Sequence, residues 1–211
     1  MRKPPSPRSD LRRALAERRR QLPPADRLQA GATVALLLAP LPALAAAQHV
    51  AIYWSVSGEL PLLAVTRELL ARQKTLYLPI VQEDGGLRFG RWQPGDALVA
   101  NRFGIPEPTP PQDALLAGTE LDLVLVPLLG FDRHGQRLGS GGGYYDRCFA
   151  FLRGHDRPAR PWLLGVGYAW QEQPALPAEA WDVALDGIVS DRELIVVRPV
   201  SAADRPRRPA R

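Results

Sequence analysis

The sequence predicts an α/β protein: an open, mostly parallel sheet with helices on both faces, in three layers. Three observations carry this. Short apolar runs alternate with helix-spaced segments along most of the chain. One run, Leu121–Val126 (LDLVLV), is almost continuously apolar, as a strand covered on both faces must be. A polar, glycine-rich loop leads from that strand toward a helix, and open α/β sheets bind ligands beyond the carboxyl ends of their strands.

The elements follow in order. Ser9 is placed to cap a helix from Asp10 to about Gln21, with a thin apolar stripe of Leu11, Leu15 and Leu22 among arginines. Pro23 and Pro24 end it, and a helix rich in Ala and Leu runs from near Ala25 to Leu38. His49–Val56 (HVAIYWSV) reads as a buried strand. Leu60–Gln73 has helical spacing of Leu62, Val65, Leu69 and Leu70. Thr75–Val81 is a strand and Leu87–Trp92 its hairpin partner, followed by a Pro/Gly-rich connection from Pro94 to Gly118. The strand Leu121–Val126 stops at Pro127, and the loop Leu128–Gly143 enters a helix from Tyr144 to Leu152. Trp162–Gly167, Leu185–Val189 and Leu194–Val197 are the remaining strands, with Glu172–Ala180 a loop or short helix. No internal repeat is present.

The length of 211 residues suits one domain, expected at residues 8–199, with basic tails at 1–7 and 200–211. The net charge of +5 is unevenly placed. The first twenty residues carry eight Arg/Lys against Asp10 and Glu17, and the last eleven carry four Arg against Asp204. The body between is therefore acidic by four charges. A nucleic-acid reader carries its basic patch on the folded body as well, so the basic ends read as solvated tails. The single cysteine, Cys148, excludes an internal disulfide and a multi-cysteine metal site, in keeping with a reducing cytoplasm. The longest apolar stretch, Ala32–Ala47, is broken by Pro40 and Pro42 and is shorter than the ~20 residues of a membrane span. His49, His134 and His155 show no metal-ligand spacing.

The chemistry concentrates in Asp122–Asp146. Gly139, Gly141, Gly142 and Gly143 allow positive φ and close backbone approach, and successive amides in such a turn form an anion nest. The following helix start adds partial positive charge. Arg137 beside the loop can grip a phosphate bidentately, and Asp146 is placed to hold a cation bridging phosphate oxygens. A glycine-rich turn can also be only a turn. The loop is neither a Walker A loop, lacking Gly-Lys-Ser/Thr, nor a dinucleotide fingerprint, since two tyrosines occupy the helix start.

Phe131 to Arg147 reads FDxxGxRLGxGGGYYDR, which resembles the signature of the 5-formyltetrahydrofolate cyclo-ligases, also called methenyltetrahydrofolate synthetases. The resemblance extends from Arg8 to Ile195. It implies a Rossmann-like layered sheet of the CoA-transferase-like group. It implies an ATP site formed by Arg8, Arg12, Arg137, Leu138, Gly139, Ser140, Gly141, Gly142, Gly143, Tyr144 and Tyr145, with Arg137 and Tyr144 catalytic. Arg8 stands where the family carries lysine, and Ser140 where relatives carry a larger side chain. Tyr53–Glu59 (YWSVSGE) resembles the family's strand followed by Gly-Glu, which makes Glu59 a folate-binding carboxylate and Trp54 a residue of the folate site. Trp54 as core packing and Glu59 as a helix N-terminal acid are the plainer readings. The stretch Trp181–Asp186 resembles the family's last acidic segment, so Asp146 and Asp182 are implied magnesium ligands and Asp186 a structural residue.

The implied reaction converts 5-formyltetrahydrofolate to 5,10-methenyltetrahydrofolate with ATP as co-substrate and Mg²⁺ as cofactor, in a cytoplasmic, monomeric enzyme without membrane or nucleic-acid partners. No side-chain nucleophile is required, so Cys148 reads as a buried small residue. Two other readings stay open: a catalytically weakened ATP- or folate-binding relative, motivated by Arg8 and Ser140, and a nucleic-acid-associated protein using its basic ends.

Overall fold

The structure is a computed structural model that describes residues 6–154 and 160–197. Most of the expected tails, and His155, lie outside the described residues. Helix α1 spans Pro7–Arg20 and is capped by Ser6, whose hydroxyl accepts from the Ser9 amide at 3.3 Å. The cap is thus Ser6 rather than Ser9, because Pro7 supplies a preset φ at the first helical position. Helices α2 (Pro24–Leu38) and α3 (Pro42–Ala46) follow.

A seven-stranded sheet is built from β1 (His49–Ala51), β2 (Thr75–Val81), β3 (Leu87–Arg91), β6 (Leu123–Pro127), β9 (Trp162–Val166), β10 (Gly187–Val189) and β11 (Leu194–Val196). Their order is β11-β10-β9-β6-β1-β2-β3. The five inner strands are parallel, and the edge strands β3 and β11 are antiparallel. Helix α4 (Leu63–Ala71) links β1 to β2. Small two-stranded ribbons form from β4 (Leu98–Ala100) with β5 (Pro106–Pro108), and from β7 (Gly130–Phe131) with β8 (Arg137–Leu138). Helix α5 is Tyr144–Cys148.

Alternation along the strands makes two cores. Val50, Leu76, Leu123, Leu125 and Leu164 face α2 and α4. Ala51, Tyr77, Val124, Val126 and Leu163 face Phe149 and Leu152, both just after α5, together with Val183 and Leu185. Each central strand is therefore apolar on both faces, which is why LDLVLV reads as an unbroken run.

Three differences from expectation bear on the site. The first strand stops at Ala51 rather than Val56: Ile52 still donates to the Tyr77 carbonyl, and then the chain leaves the sheet. Helix α4 starts at Leu63 rather than Leu60, because Pro61 disfavours helical backbone at the residue before it; the turn further ahead has positive φ at Ser57 and Gly58. The helix after the glycine loop ends at Cys148. Phe149 adopts φ −102° and ψ 18°, its ring is fully buried near Phe89, and a 3₁₀ turn continues over Ala150–Leu152. The Pro94–Gly118 connection carries the β4–β5 ribbon, which periodicity alone did not reveal.

Gly31 of α2 tests how tightly the helix layer lies on the loop after β1. Alanine is favoured over glycine in a helix by about 1 kcal/mol. A Cβ at Gly31, however, would sit 2.5 Å from the Pro61 carbonyl oxygen. We expect the clash to outweigh propensity, with Gly31→Ala destabilised by about 1–3 kcal/mol. Urea unfolding checks this, and a stabilised variant would show that the loop yields freely.

Candidate active site

The sheet reverses its winding between β1 and β6. From β1 the chain moves to β2, and from β6 it moves the other way to β9 and β10. Strand continuations diverge there and leave a crevice at the carboxyl ends, where open α/β sheets hold ligands. A cavity of about 720 Å³ occupies this position. Tyr53, Trp54 and Glu59 enter it from the continuation of β1, and Pro127, Leu128 and Leu129 from that of β6. Arg8, Arg12 and Arg19 form a wall from α1.

One end is the glycine loop. The β7–β8 ribbon pairs Phe131 with Arg137 and so aims Arg137 at the cavity. Buried Asp132 pins the ribbon's turn, accepting amides of His134 at 2.9 Å, Gln136 at 3.1 Å and Leu176 at 2.9 Å. Gly141 and Gly143 have φ of +107° and +67°, conformations that favour glycine. The helix they lead into is only five residues long, so the loop amides and arginines matter more here than a helix dipole.

Each arginine at this end already has a partner. Arg137 Nη2 donates to Asp146 Oδ1 at 2.7 Å. Arg8 Nη1 donates to Asp182 Oδ2 at 2.9 Å and to the Pro177 carbonyl at 3.0 Å. Arg12 Nε donates to the Gly139 carbonyl at 3.0 Å. The Val183 amide donates to Asp146 Oδ1 at 3.2 Å, which brings the segment carrying Asp182 against Asp146. The Arg137 guanidinium lies 5.6 Å from the Tyr145 ring centre. Tyr144 accepts from Arg102 at 3.1 Å and meets Phe103 edge-on.

The other end is carboxylate and aromatic. Glu59 Oε2 accepts the Val56 amide at 3.2 Å, and Oε1 lies 3.6 Å from Arg19 Nη1. Burial pushes the Glu59 carboxyl above its ordinary value, opposed by the Arg19 charge and the Val56 amide. Trp54 is 39% exposed at the cavity edge, T-shaped against Trp92, so it is not simply a core residue. Glu59 stands in the turn ahead of α4, outside the helix.

All but one of the candidate residues line this cavity. The exception is Leu138, whose side chain is fully buried in a small cluster with Leu15, Leu129 and Leu176. Sequence reasoning missed Arg19, Tyr53, Phe103 and Trp181, which also line it. Arg19 was findable: Arg8, Arg12 and Arg19 are spaced to share one face of α1. Cys148 is half-buried and burial pushes its thiol up to about 11, as a packing residue requires. His49 meets the Tyr77 hydroxyl through Nδ1, and His134 sits in the Asp132 turn. No described helix is long and apolar enough to cross a membrane.

Comparison with known proteins adds a second line. The model of the 5-formyltetrahydrofolate cyclo-ligase family matches residues 5–191. The Escherichia coli K12 protein named 5-formyltetrahydrofolate cyclo-ligase is 34% identical over 180 residues, covering 83% of this chain and 96% of that protein. The Haemophilus influenzae protein of the same name is 36% identical over 145 residues, covering 68% and 75%. Among solved structures, Aquifex aeolicus 5,10-methenyltetrahydrofolate synthetase superposes with a TM-score of 0.76 at 30% identity, covering 90% of this chain and 93% of that one.

The buried carboxylate gives a pH signature. Glu59 binds its proton more tightly in the folded chain than in the unfolded one, because its folded value is raised. Its ionisation therefore lowers stability as pH rises from the ordinary value of 4.5 through the folded value, and the loss is complete above that. We expect Glu59→Gln to lack this component. Denaturation between about pH 4 and 7 should show the parent losing ground to the variant as pH rises. A gap independent of pH would contradict a raised Glu59.

Proposed function

This chain belongs to the 5-formyltetrahydrofolate cyclo-ligase family, and from that premise we propose that it forms 5,10-methenyltetrahydrofolate from 5-formyltetrahydrofolate in the crevice between β1 and β6, using ATP. The observation that carries the proposal is one cavity holding two unlike ends. A glycine loop with three arginines suits a polyphosphate, and a buried carboxylate with an aromatic edge suits a flat heterocycle with N–H donors.

The chemistry follows from the substrate. A formyl oxygen is a poor leaving group until phosphorylated. In the proposed sequence that oxygen attacks the γ-phosphorus and the bond to ADP breaks. N10 then attacks the activated carbon, its proton is lost, and inorganic phosphate leaves with the formyl oxygen. The protein's share is alignment and charge neutralisation. Arg137 and Arg8 would exchange their carboxylate partners for phosphate oxygens, with the glycine-loop amides completing the grip. Tyr144, held by Arg102, flanks the same loop. Glu59 would accept the pterin donors, and Trp54 would offer a face or edge to the ring.

Mg²⁺ fits the donor set. Asp146 and Asp182 supply hard oxygen ligands at the phosphate end. No group of three or more potential ligands occurs among the described residues, so the remaining positions would fall to phosphates and water, as magnesium commonly has it. When bound, the ion would neutralise charge on the transferring phosphate. We take one chain as the functional unit, since both ends of the cavity are built from it, and the cytoplasm as its compartment, in keeping with the single cysteine.

The direct test is methenyl absorbance from 5-formyltetrahydrofolate with and without Mg-ATP. We expect product only with both, and none under either condition would leave the weakened-relative reading. Asp146→Asn and Asp182→Asn should each raise the Mg²⁺ needed for half-maximal rate. Unchanged magnesium dependence in both would place the metal elsewhere.

A separate measurement assigns the ends. Glu59→Gln turns an acceptor into a donor facing donors, which costs on the order of 1–3 kcal/mol, so folate affinity should fall about tenfold or more while ATP affinity barely moves. Arg137→Ala should do the reverse. Calorimetry of each ligand alone decides, and weakened ATP with spared folate in Glu59→Gln would invert the assignment.

A further inference from the structure

We infer that Arg19 is the positioning residue for Glu59, a single guanidinium that clamps the two sides of the crevice and sets the carboxylate within it. Only 6% of Arg19 is exposed, although it belongs to the last, arginine-rich turn of a surface helix. Arginine is seldom buried to this degree without partners. Its Nε donates to the Ser57 carbonyl at 3.1 Å, on the continuation of β1. Its Nη1 donates to the Leu128 carbonyl at 3.3 Å, on the continuation of β6. The same Nη1 faces Glu59 Oε1 at 3.6 Å.

The turn bearing Glu59 is shaped to this helix. Ser57 and Gly58 hold φ of +51° and +80°. A Cβ on Gly58 would stand 2.7 Å from the Arg19 carbonyl oxygen, so the turn rests directly on the end of α1. Tyr168 adds a bond to the Gly58 carbonyl at 3.1 Å. With Oε2 on the Val56 amide and Oε1 facing Arg19, both carboxylate oxygens are fixed in direction. Arg19 also supplies the positive charge that opposes protonation of Glu59 in a site where burial favours it. Tyr53, Tyr145 and Tyr168 are the other titratable groups that sense this carboxylate, and all three hydroxyls are raised by burial.

Lysine cannot reproduce the role. It keeps the charge but lacks the planar fork that reaches two carbonyls and a carboxylate at once. Arg8 and Arg12 precede Arg19 on the same helix, so α1 carries the phosphate wall at one end and this clamp at the other. The inference rests on reading Glu59 as the folate carboxylate.

The experiment measures 5-formyltetrahydrofolate and ATP binding by calorimetry, and the Glu59 carboxyl titration by carbon NMR, in the parent, Arg19→Met, Arg19→Lys and Glu59→Gln. For Arg19→Met we expect folate affinity to fall about tenfold or more, ATP affinity to hold, and Glu59 to titrate higher still. Arg19→Lys should return the titration toward the parent and recover part of the folate affinity. A folded Arg19→Met with parental folate affinity and parental Glu59 titration overturns the inference. So does a loss of folate binding with Glu59 unmoved and no recovery in lysine, which is plain packing damage. If the methionine variant does not fold, Arg19→Lys decides alone, and parental folate affinity there overturns the clamp. Parental folate affinity in Glu59→Gln would instead refute the folate assignment, leaving the titration in Arg19→Met to judge the clamp.

Discussion

Two adjacent parallel strands, β1 and β6, send the chain away in opposite directions across the sheet, and everything at the candidate site depends on that divergence. A parallel sheet leaves the carboxyl ends of its strands without short hairpins to close them. Where successive connections run to the same side, one covers the next. Where they part, as here, a cleft stays open between the Tyr53–Glu59 turn and the Pro127–Leu129 segment. The apolar strands below form the floor, since Leu123, Leu125, Val124 and Val126 anchor β6 in both cores.

Helix α1 turns this cleft into a chamber. It precedes the sheet in sequence yet returns to line the mouth, held by Leu15 in a cluster with Leu129 and Leu138 and by the Gly58 turn at its end. Burying Leu138 there is what directs its neighbour Arg137 into the cavity, because adjacent residues on a strand point to opposite sides. A leucine inside a phosphate-loop signature thus serves the loop through packing.

Much of this was legible in the chain. The glycine loop, its arginine and its aspartate are contiguous, so their chemistry can be read without knowing the fold. Glu59 and Asp182 became candidates only through family resemblance, because nothing local distinguishes them from other surface acids. The cap at Ser6 was missed because Ser9, Asp10 and the proline at position 7 offer competing local signals. The break at Phe149 was missed because tertiary burial of an aromatic overrides helix periodicity. Arg19 escaped for a different reason. Helical spacing puts it on the face of Arg8 and Arg12, but only the three-dimensional position of Ser57, Leu128 and Glu59 shows what it clamps and that it is buried.

The pairing of arginines with acids along the chamber also bears on how a charged ligand arrives. Arg8 with Asp182, Arg137 with Asp146, and Arg19 with Glu59 are each locally compensated. Among the described residues Arg12 makes no ion pair, and neither do the exposed Arg102 and Arg147, which reach the Tyr144 hydroxyl and the Gly142 carbonyl beside the same loop. Paired charges fade quickly with distance, so the positive potential that the mouth projects into solvent comes from these three arginines. Capture of a polyanion then joins steering by them to short-range exchange of partners after contact, and its association rate should fall as ionic strength rises, less steeply than in a cleft whose arginines are all unpaired.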